Sequence, residues 1–240
     1  MSPPAVVLEG AADIAGAPLF GPLRLELAAG QWTGLLGASG TGKTTVLRLI
    51  AGLETGARFT GRIEASDGAP LAGRIGFMGQ SDLLAPWLDV LGNVVLGARL
   101  RGERPDMARA RAIVERAGLT PHIRQRPHTL SGGQRQRASL ARTLMEDRPV
   151  VLLDEPFSAL DARTRAEMQE IAGELLAGRT VLLVTHDPAE AARLAHRAFL
   201  MHEGHIEQLD VPVAPPVRAA DDPATMAAQA AMYRKLRGLA

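Results

Sequence analysis

A glycine-rich run that ends in a lysine and a threonine has the residue types needed to bind phosphate. Residues 37–44 read GASGTGKT and fit the pattern G-x-x-x-x-G-K-[ST]. In this pattern the glycines let several backbone N–H groups point at one anion, and the lysine reaches its oxygen atoms. The run therefore predicts that Lys43 contacts the β- and γ-phosphates of a nucleotide and that the Thr44 hydroxyl ligates Mg²⁺.

The segments around this run supply the context that the motif requires. Residues 33–36 predict a strand before the loop, and residues 45–53 predict a helix whose N-terminus adds its positive dipole end. An ordinary glycine-rich turn with an incidental lysine is the alternative, and the flanking elements disfavour it. The predicted nucleotide-binding residues are Gly37, Ala38, Ser39, Gly40, Thr41, Gly42, Lys43, Thr44 and Thr45.

A pair of carboxylates follows another apolar run. Residues 150–153 read VVLL and are followed by Asp154 and Glu155. Carboxylates at the end of a buried strand are costly unless they are paired or used in binding. We expect Asp154 to hold Mg²⁺ and Glu155 to orient and polarise an attacking water. The alternative is a strand that simply ends in polar loop residues, with Asp154 as a turn former.

The run LSGGQ at residues 130–134 predicts a second helix start that faces phosphate. Ser131 and Gln134 have the spacing of a capping box, and Gly132 and Gly133 leave backbone N–H groups open to a close anion. Because the loop at 37–44 already holds the phosphates of one nucleotide, we infer that this surface faces nucleotide held by another copy. The alternative is an ordinary capped helix after a turn.

The composition bounds the class of protein. The chain has 240 residues, enough for one large α/β domain or two small ones, and contains no cysteine, which excludes disulfides and cysteine metal sites. The net charge of +1 gives no field that demands a nucleic acid, so none is expected as a partner. No apolar run approaches the roughly 18 residues that span a bilayer, and residues 1–4 do not resemble a signal peptide, so we expect a cytosolic protein.

Apolar runs and helical stretches alternate along the chain. Residues 23–27 suit a half-exposed strand, and more continuously apolar strands are predicted at 32–36, 75–78, 150–153 and 180–184. Helices are predicted at 43–53, 107–117, 134–145, 164–176 and 189–196. This alternation predicts an α/β fold with a mostly parallel sheet.

Two segments differ from this alternation. Residues 81–146 show little strand signal, so we predict a helical subdomain inserted in a domain that spans residues 1–210. Residues 211–240 are predicted to be a C-terminal extension, extended over 211–218 and helical from about Pro223. The predicted apolar face of that helix consists of Met226, Ala230, Tyr233 and Leu236.

The run at residues 130–134, continued by the residues QRQR at 134–137, resembles the signature sequence of ABC-transporter ATPases. Further marks of that family occur in its order. Gln80 resembles the Q-loop glutamine, which senses Mg²⁺ and the attacking water. The run SALD at 158–161 resembles the D-loop, which crosses the dimer interface. His186 resembles the switch histidine that contacts the γ-phosphate, although a lone histidine is more often structural.

This resemblance implies a fold and a mode of action. The fold is a P-loop NTPase core with a mostly parallel sheet, an N-terminal antiparallel β portion and an inserted α-helical subdomain. Two chains form a homodimer that holds two ATP with Mg²⁺, each between the loop at 37–44 of one chain and residues 131–133 of the other. Hydrolysis and product release separate the halves, which drives transmembrane permease subunits. The implied location is peripheral, at the cytoplasmic face of the inner membrane.

The same resemblance assigns roles to individual residues. The implied catalytic residues are Glu155, His186, Gln80 and Lys43. The implied metal-binding residues are Thr44, Gln80 and Asp154. The further implied nucleotide contacts, made across the dimer, are Ser131, Gly132, Gly133, Gln134 and Asp161.

The segment after Gln80 bears on the type of transporter. Residues 81–102 resemble the same loop in importers of nitrate, sulfonate and taurine, a group that includes importers of thiamine-pyrimidine precursors. Importers of this kind imply an extracytoplasmic substrate-binding protein as a further partner. Trp87 with Leu83, Leu84 and Leu88 is predicted to form an apolar groove for the permease. The alternative is that Trp87 belongs to the core of the helical subdomain.

Other members of the superfamily offer competing functions. The ATPase of an exporter or of a lipoprotein-release complex stays open, because the motifs do not exclude it. ATPases of DNA repair and chromosome structure carry a long coiled coil between the two phosphate-facing motifs, and this interval is short and has no heptads. Translation factors of the superfamily carry two ATPase domains, and this sequence shows one set of motifs.

The way in which adenine is held departs from the family pattern. Most members stack an aromatic residue near the end of the first strand on the adenine ring, and residues 9–19 contain no aromatic residue. Phe20 is the nearest one. We therefore predict either stacking by Phe20 or weaker discrimination of adenine.

Overall fold

The computed structural model describes residues 2–238, which form nine β-strands and eight α-helices. The strands are β1 (Val6–Ile14), β2 (Ala17–Leu27), β3 (Trp32–Leu36), β4 (Arg58–Ala65), β5 (Ile75–Met78), β6 (Val150–Asp154), β7 (Thr180–Thr185), β8 (Arg197–His202) and β9 (His205–Leu209). The helices are α1 (Lys43–Ile50), α2 (Val90–Val94), α3 (Leu96–Leu100), α4 (Met107–Arg116), α5 (Gly132–Met145), α6 (Ala162–Leu175), α7 (Pro188–Leu194) and α8 (Pro223–Gly238). Within this part of the chain, none of the helices has the length and apolar character that crossing a membrane requires.

The described residues divide into two compact units. The first unit comprises residues 2–75, 149–154 and 177–238, and the second comprises residues 76–148 and 155–176. The domain boundaries expected from the sequence, 1–210 and 211–240 with an insertion at 81–146, remain a proposal. Residues 1, 239 and 240 of those domains lie outside the described residues.

An antiparallel sheet of three strands, in the order β2-β1-β4, forms one part of the first unit. Its central strand β1 pairs with both neighbours, and alternate side chains such as Val6 and Leu8 are fully buried. The opposite face carries charged side chains, among which Arg62 donates to Glu9 at 2.9 Å. This alternation is the pattern of a sheet with one face on the core and one in solvent, and it confirms the predicted antiparallel β portion.

The larger sheet supplies the edge at which the candidate site lies. Its strands that belong wholly to the first unit run in the order β6-β7-β3-β8-β9. Strands β6, β7, β3 and β8 are parallel, and β9 returns antiparallel to β8. All residues of β3, β6 and β7 are buried, which suits parallel strands covered on both faces. The predicted α/β fold class is confirmed.

Helices α7 and α8 pack together over the β3 and β8 side of this sheet. Their shared core contains Leu36, Ala191, Ala192, Ala195, Ala198, Leu200, Leu209 and Met232, with Ala228 and Leu236 packed against it. The predicted apolar face of α8 is wrong except for Leu236, because Met226 and Tyr233 are 55% and 53% exposed. The buried face instead follows Thr225, Ala228, Met232 and Leu236, which a helix of 3.6 residues per turn places in one stripe.

Arg218 fastens the C-terminal segment to the end of α7. It is 5% exposed, and its guanidinium donates hydrogen bonds to the carbonyl oxygens of Ala192, Ala195, Pro212 and Ala214. The carbonyl of Ala192 belongs to the last turn of α7, and that of Ala195 follows the helix directly. The last carbonyl groups of a helix have no N–H donor within the helix. In return, Arg193 Nε donates to the carbonyl oxygen of Arg218 at 3.0 Å.

Replacing Arg218 with methionine is expected to lower the free energy of unfolding by about 3 kcal/mol, because four carbonyl groups lose their donor. Urea unfolding followed by circular dichroism measures the change. Arg234→Met, on the exposed side of α8, is the matched control and should change stability by less than about 0.5 kcal/mol. Equal effects of the two substitutions would show that the Arg218 contacts do not stabilise the fold.

The second unit is built around helices α2, α4 and α5. Its core is formed by apolar side chains of these helices: Val90, Leu91, Val94, Ala110, Ile113, Val114, Ala138, Leu140, Ala141 and Leu144. Aspartates cap two of the helices, since Asp89 accepts from the N–H of Gly92 in α2 and Asp106 accepts from that of Arg109 in α4. Side-chain caps therefore satisfy N-terminal N–H groups of both α2 and α4.

Candidate nucleotide site

Three candidate segments meet at the carboxyl edge of the parallel sheet. Leu36, at the end of β3, is in register with Thr185 at the end of β7. Asp154, at the end of β6, is in register with Val184 of β7. Neighbouring strands are about 4.8 Å apart, so Asp154 lies two strands, or roughly 10 Å, from β3. The sheet thus brings the loop at 37–44, Asp154 and the loop of His186 to the edge where open α/β sheets bind ligands.

The start of the loop can be occupied only by glycine. At Gly37 the backbone has φ of 156°, and a Cβ atom would lie 2.4 Å from the carbonyl oxygen of Met201. At Gly42, the residue that precedes α1, φ is 101° and a Cβ atom would lie 3.1 Å from Met201 Cε. Both glycines therefore allow the loop to curl back closely over β8, which is the geometry that a phosphate cradle needs.

Lys43 lies inside this curl. The residue is 6% exposed, and its Nζ atom donates to the carbonyl oxygens of Gly37 at 2.8 Å and Ala38 at 2.7 Å. The hydroxyl of Thr41 also donates to Ala38 O, at 3.0 Å. These bonds hold the ammonium group against the loop backbone, where it places a positive charge within the curl.

The N-terminus of α1 adds to the positive character of the loop. Gly42, the residue before α1, supplies no side-chain cap to the helix start. Thr44 is in the first turn and is exposed. A helix start without a side-chain cap, next to a buried ammonium group and a glycine curl, fits the phosphates of a nucleotide.

Magnesium fits this site only together with a nucleotide. The described residues contain no cluster of three or more His, Cys, Asp or Glu that could hold a metal ion by itself. Thr44 and Asp154 offer oxygen atoms, the type of ligand that Mg²⁺ prefers. Since Mg²⁺ is commonly held by one or two protein oxygens plus substrate phosphates, the oxygen donors of these two residues are compatible with the ion.

Lys43→Ala is expected to weaken ATP binding at least about 10-fold, because charge-assisted bonds to phosphate are lost and two loop carbonyls lose their donor. Titration of the full chain with a fluorescent ATP analogue measures the dissociation constant. Lys235→Ala is the matched control, since Lys235 is the other lysine of the sequence and lies on α8. An unchanged affinity for the Lys43 variant would contradict the assignment of this loop.

Glu155 stands on a strained turn directly after β6. Its φ is 49°, a left-handed conformation that is uncommon for a residue with a side chain. Its carbonyl oxygen accepts from Gln136 Nε2 at 2.9 Å and from Ser158 Oγ at 3.1 Å. Strain of this kind persists where the surroundings fix the backbone, and it concentrates at functional sites.

Gln136 is a supporting residue that the sequence reasoning missed. It is 7% exposed, and while its Nε2 donates to Glu155 O, its Oε1 accepts from the N–H of Ala159 at 2.8 Å. One side chain of α5 therefore fixes both the Glu155 turn and the run at 158–161. Its position could have signalled this role, because Gln136 falls on the same helical stripe as the buried Leu140 and Leu144.

The predicted capping box at the start of α5 is confirmed. Ser131 Oγ accepts from the N–H of Gln134 at 3.3 Å, and Gln134 Oε1 accepts from the N–H of Ser131 at 2.7 Å. Ser131 and Gly132 are exposed. At Gly133 a Cβ atom would lie 3.2 Å from the carbonyl oxygen of Ala159, so α5 starts closely against the run at 158–161.

The remaining candidate residues have the following surroundings. Asp161 caps α6, and the backbone N–H of Thr164 lowers the pKa of its carboxyl group. His186 is exposed, and its loop is held by Thr185, whose hydroxyl donates to Glu190 and accepts from the N–H of Asp187. Gln80 is exposed and follows β5. Their roles stay predictions.

The candidate residues are distributed over both units. The loop at 37–44, Asp154 and His186 belong to the first unit. Gln80, the run at 130–134, Glu155 and Asp161 belong to the second.

The prediction that Phe20 stacks on adenine is wrong. Phe20 is 1% exposed and its ring is part of the core, with Cδ1 3.4 Å from the position of a Cβ atom at Gly42. A ring enclosed in this way has no free face for a base. The prediction of weaker adenine discrimination stands as the remaining possibility.

Sequence comparisons relate the chain to one protein family. It matches the family described as ABC transporter over residues 20–158. It is 44% identical over 195 residues to an uncharacterized ABC transporter ATP-binding protein of Haemophilus influenzae, with 80% of each protein covered. It is 41% identical over 224 residues to an aliphatic sulfonates import ATP-binding protein of Delftia acidovorans, with 92% of this chain and 89% of the relative covered.

A comparison with solved structures gives the same relationship. The chain is similar to a bacterial ABC transporter cassette whose structure is described as dimeric. The TM-score is 0.74 at 26% sequence identity, and the similarity covers 89% of this chain and 99% of the cassette.

Proposed function

Because the chain belongs to the ATP-binding subunits of ABC transporters, we propose that it hydrolyses ATP to ADP and phosphate in order to power import through a partner permease. The observation that carries this proposal is the glycine curl around Lys43 at the carboxyl edge of the parallel sheet. Phosphate release by the purified chain, alone and with its permease in vesicles, tests it. Absence of hydrolysis under both conditions would contradict the proposal.

The residues of the site divide the reaction between them. Lys43 and the N–H groups of α1 bind and orient the phosphates. Bound Mg²⁺, held by Thr44 and Asp154 and sensed by Gln80, would neutralise charge on the β- and γ-phosphates. Glu155 orients the attacking water and takes up a proton from it. His186 contacts the γ-phosphate. Because Gln136 holds the strained backbone of Glu155, the point from which the Glu155 side chain extends is fixed.

The proposed working unit contains two chains. Residues 131–133 form a capped, exposed helix start with the features of an anion site. We assign it to the nucleotide of the partner chain, with Gln134 and Asp161 at the same interface. The dimeric state of the similar cassette supports this arrangement. Closure around ATP and opening after hydrolysis would then supply the movement.

The proposed docking site for the permease is an exposed apolar surface on the second unit. Trp87 is 70% exposed and Leu83 is 62% exposed, so the alternative in which Trp87 belongs to the core is wrong. Leu84 of the same loop is buried, with 8% of its surface exposed. A loop that exposes both a tryptophan and a leucine is typical of a protein contact site.

Buried polar side chains hold this loop in one shape. Asn93 is fully buried. Its Oδ1 accepts from the N–H of Ala85 at 2.7 Å, and its Nδ2 donates to the carbonyl oxygen of Ala85 at 3.2 Å. Arg142 donates to the carbonyl oxygens of Asp82 and Leu83, and burial lowers the pKa of its guanidinium group. A preformed loop loses little conformational freedom on binding, which favours a role in docking.

Trp87→Ala is expected to weaken permease binding by about 2 kcal/mol or more while leaving the hydrolysis rate of the isolated chain unchanged. Co-purification with the permease and the ATPase rate in proteoliposomes measure the two effects. Tyr233→Ala is the matched control, because Tyr233 is 53% exposed on α8. If both variants assemble like the wild type, the docking surface lies elsewhere.

The proposals for the cargo and the remaining partners are based on the names of the similar proteins. Several relatives are named as aliphatic sulfonate importers, with 41–44% identity in four cases. We propose a sulfonate-type cargo such as taurine, with nitrate and thiamine-pyrimidine precursors as the alternatives, delivered by an extracytoplasmic binding protein. The subunit would sit peripherally at the cytoplasmic face of the inner membrane. Stimulation of hydrolysis in vesicles by loaded binding protein on the outer side tests import, whereas stimulation by cargo inside would indicate export.

A further inference from the structure

A histidine outside all the family motifs contacts the signature run. His122 ends a short 3₁₀ turn at Thr120–His122, and its Nε2 atom lies 2.9 Å from Gln134 Nε2. Its other ring nitrogen, Nδ1, lies 3.1 Å from Gln125 Oε1. The histidine therefore joins the amide of the signature glutamine to a second glutamine of the same loop.

The hydrogen bonds around Gln134 fix the direction of its amide. Its Oε1 accepts from the N–H of Ser131 at 2.7 Å, so its NH₂ group is the part that faces His122. An NH₂ group only donates, and hence His122 Nε2 must accept. The proton of a neutral imidazole then sits on Nδ1, from which it is donated to Gln125 Oε1. The contacts define one tautomer and one orientation of the ring.

The backbone behind His122 is anchored. Its carbonyl oxygen accepts from the N–H of Gln125 at 2.8 Å. Two further carbonyls of the turn, those of Ile123 and Gln125, accept from the N–H groups of Leu91 and Val90 at the start of α2. His122 therefore presents its acceptor nitrogen to Gln134 from a fixed frame within the second unit.

We propose that His122 is a positioning residue for ATP hydrolysis, which holds the Gln134 amide in the orientation that completes the capping box and so fixes Ser131. This rests on the proposed function, in which Ser131 faces the nucleotide of the partner chain. Without the acceptor, the Gln134 amide is free to turn, and the Ser131 N–H loses its partner. The effect reaches the phosphates through Gln134 and Ser131, with no contact between His122 and the nucleotide.

Substitutions of His122 separate this role from packing. His122→Leu removes the acceptor and is expected to lower kcat roughly 10-fold, with KM for ATP within about twofold, because the phosphate loop is untouched. His122→Gln retains an acceptor oxygen and is expected to keep kcat within about threefold of the wild type. Equal impairment of both variants would mean that the ring only fills space, and an unimpaired leucine variant would overturn the proposal.

A double substitution tests whether His122 acts through Gln134. In a Gln134→Ala background, His122→Leu is expected to change kcat by less than about 1.5-fold, because the amide it orients is gone. Independent multiplication of the two effects would overturn the proposal. Nitrogen-15 NMR of histidine-labelled full chain gives a readout besides activity, with the His122 signal identified by its loss in the Gln variant. It should show a protonated Nδ1 and an unprotonated Nε2, and the opposite tautomer would contradict the assignment.

Ser131→Arg in the same assay tells the two hypotheses apart. If that variant hydrolyses ATP at the wild-type rate, the shared site between two chains is wrong, whatever the tautomer of His122. If it is inactive while His122→Leu is fully active, only the positioning role of His122 fails.

Discussion

Replacing Glu155 with glutamine is expected to lower the rate of ATP hydrolysis by about 10²- to 10⁴-fold, while ATP still binds. The side chain keeps its size and loses the carboxylate to which we assign the uptake of a proton from the attacking water. The contacts that hold this turn go to the backbone carbonyl, from Gln136 and Ser158, so the substitution leaves them intact. The chain should then collect as an ATP-bound dimer that cannot open.

Two measurements check this expectation on the full chain. Phosphate release gives the turnover, and sedimentation with and without ATP gives the mass of the assembly. Glu54→Gln is the matched control, because Glu54 is an exposed residue outside the motifs, and it should leave both values unchanged. Wild-type turnover in the Glu155 variant would show that another residue acts as the general base. A variant that stays monomeric with ATP would show that two chains do not close on the nucleotide.

The parts of the fold that were predictable have local causes. The mostly apolar strands β6 and β7 were predicted as buried parallel strands, since every side chain faces a covered side of the sheet. The capping box was readable because both of its partners, Ser131 and Gln134, lie within one turn of the same helix. The phosphate loop was readable because its spacing is set by one bound group.

Strands at exposed positions escaped prediction. In β4 most side chains are exposed or half-buried, and its interior contains Gly61, which lowers the strand signal. β4 is nevertheless a strand because it pairs along its length with β1 from Val6–Ala65 to Asp13–Arg58. That pairing joins segments more than forty residues apart in the sequence. The local pattern of side chains in β4 therefore carries no information about its partner strand.

The partners of the side chains that support the site could not be predicted from the sequence, for the same reason. Gln136 reaches the Glu155 turn and Asn93 fastens the loop of Trp87, and each acts on a backbone group that any sequence could offer. For helix α8 the prediction failed because side-chain size was given too much importance. Its large side chains Met226 and Tyr233 suggested the apolar face, yet the stripe through Met232 is the buried one, because the sheet and α7 cover that side.

Ser131→Arg is expected to reduce hydrolysis by at least about 10²-fold while ATP binding by the single chain stays within about twofold of the wild type. Ser131 is exposed at the start of α5, so an arginine side chain there would fill the space in front of the helix N–H groups. In the proposed arrangement the nucleotide of the same chain is held by the loop around Lys43, which belongs to the first unit and is not altered by the substitution. Binding and turnover would therefore separate, as a site shared between two chains requires.

The matched control is Ser131→Ala, which removes the same hydroxyl cap without adding bulk. Loss of the cap costs about 1 kcal/mol of helix stability and should lower turnover far less than arginine does. ATP binding is measured by titration with a fluorescent analogue, and turnover by phosphate release under saturating ATP. Equal loss of activity in both variants would trace the effect to the cap alone. Equal loss of binding and turnover in the arginine variant would place Ser131 at the nucleotide of its own chain. The proposal that each nucleotide is shared between two chains would then be wrong.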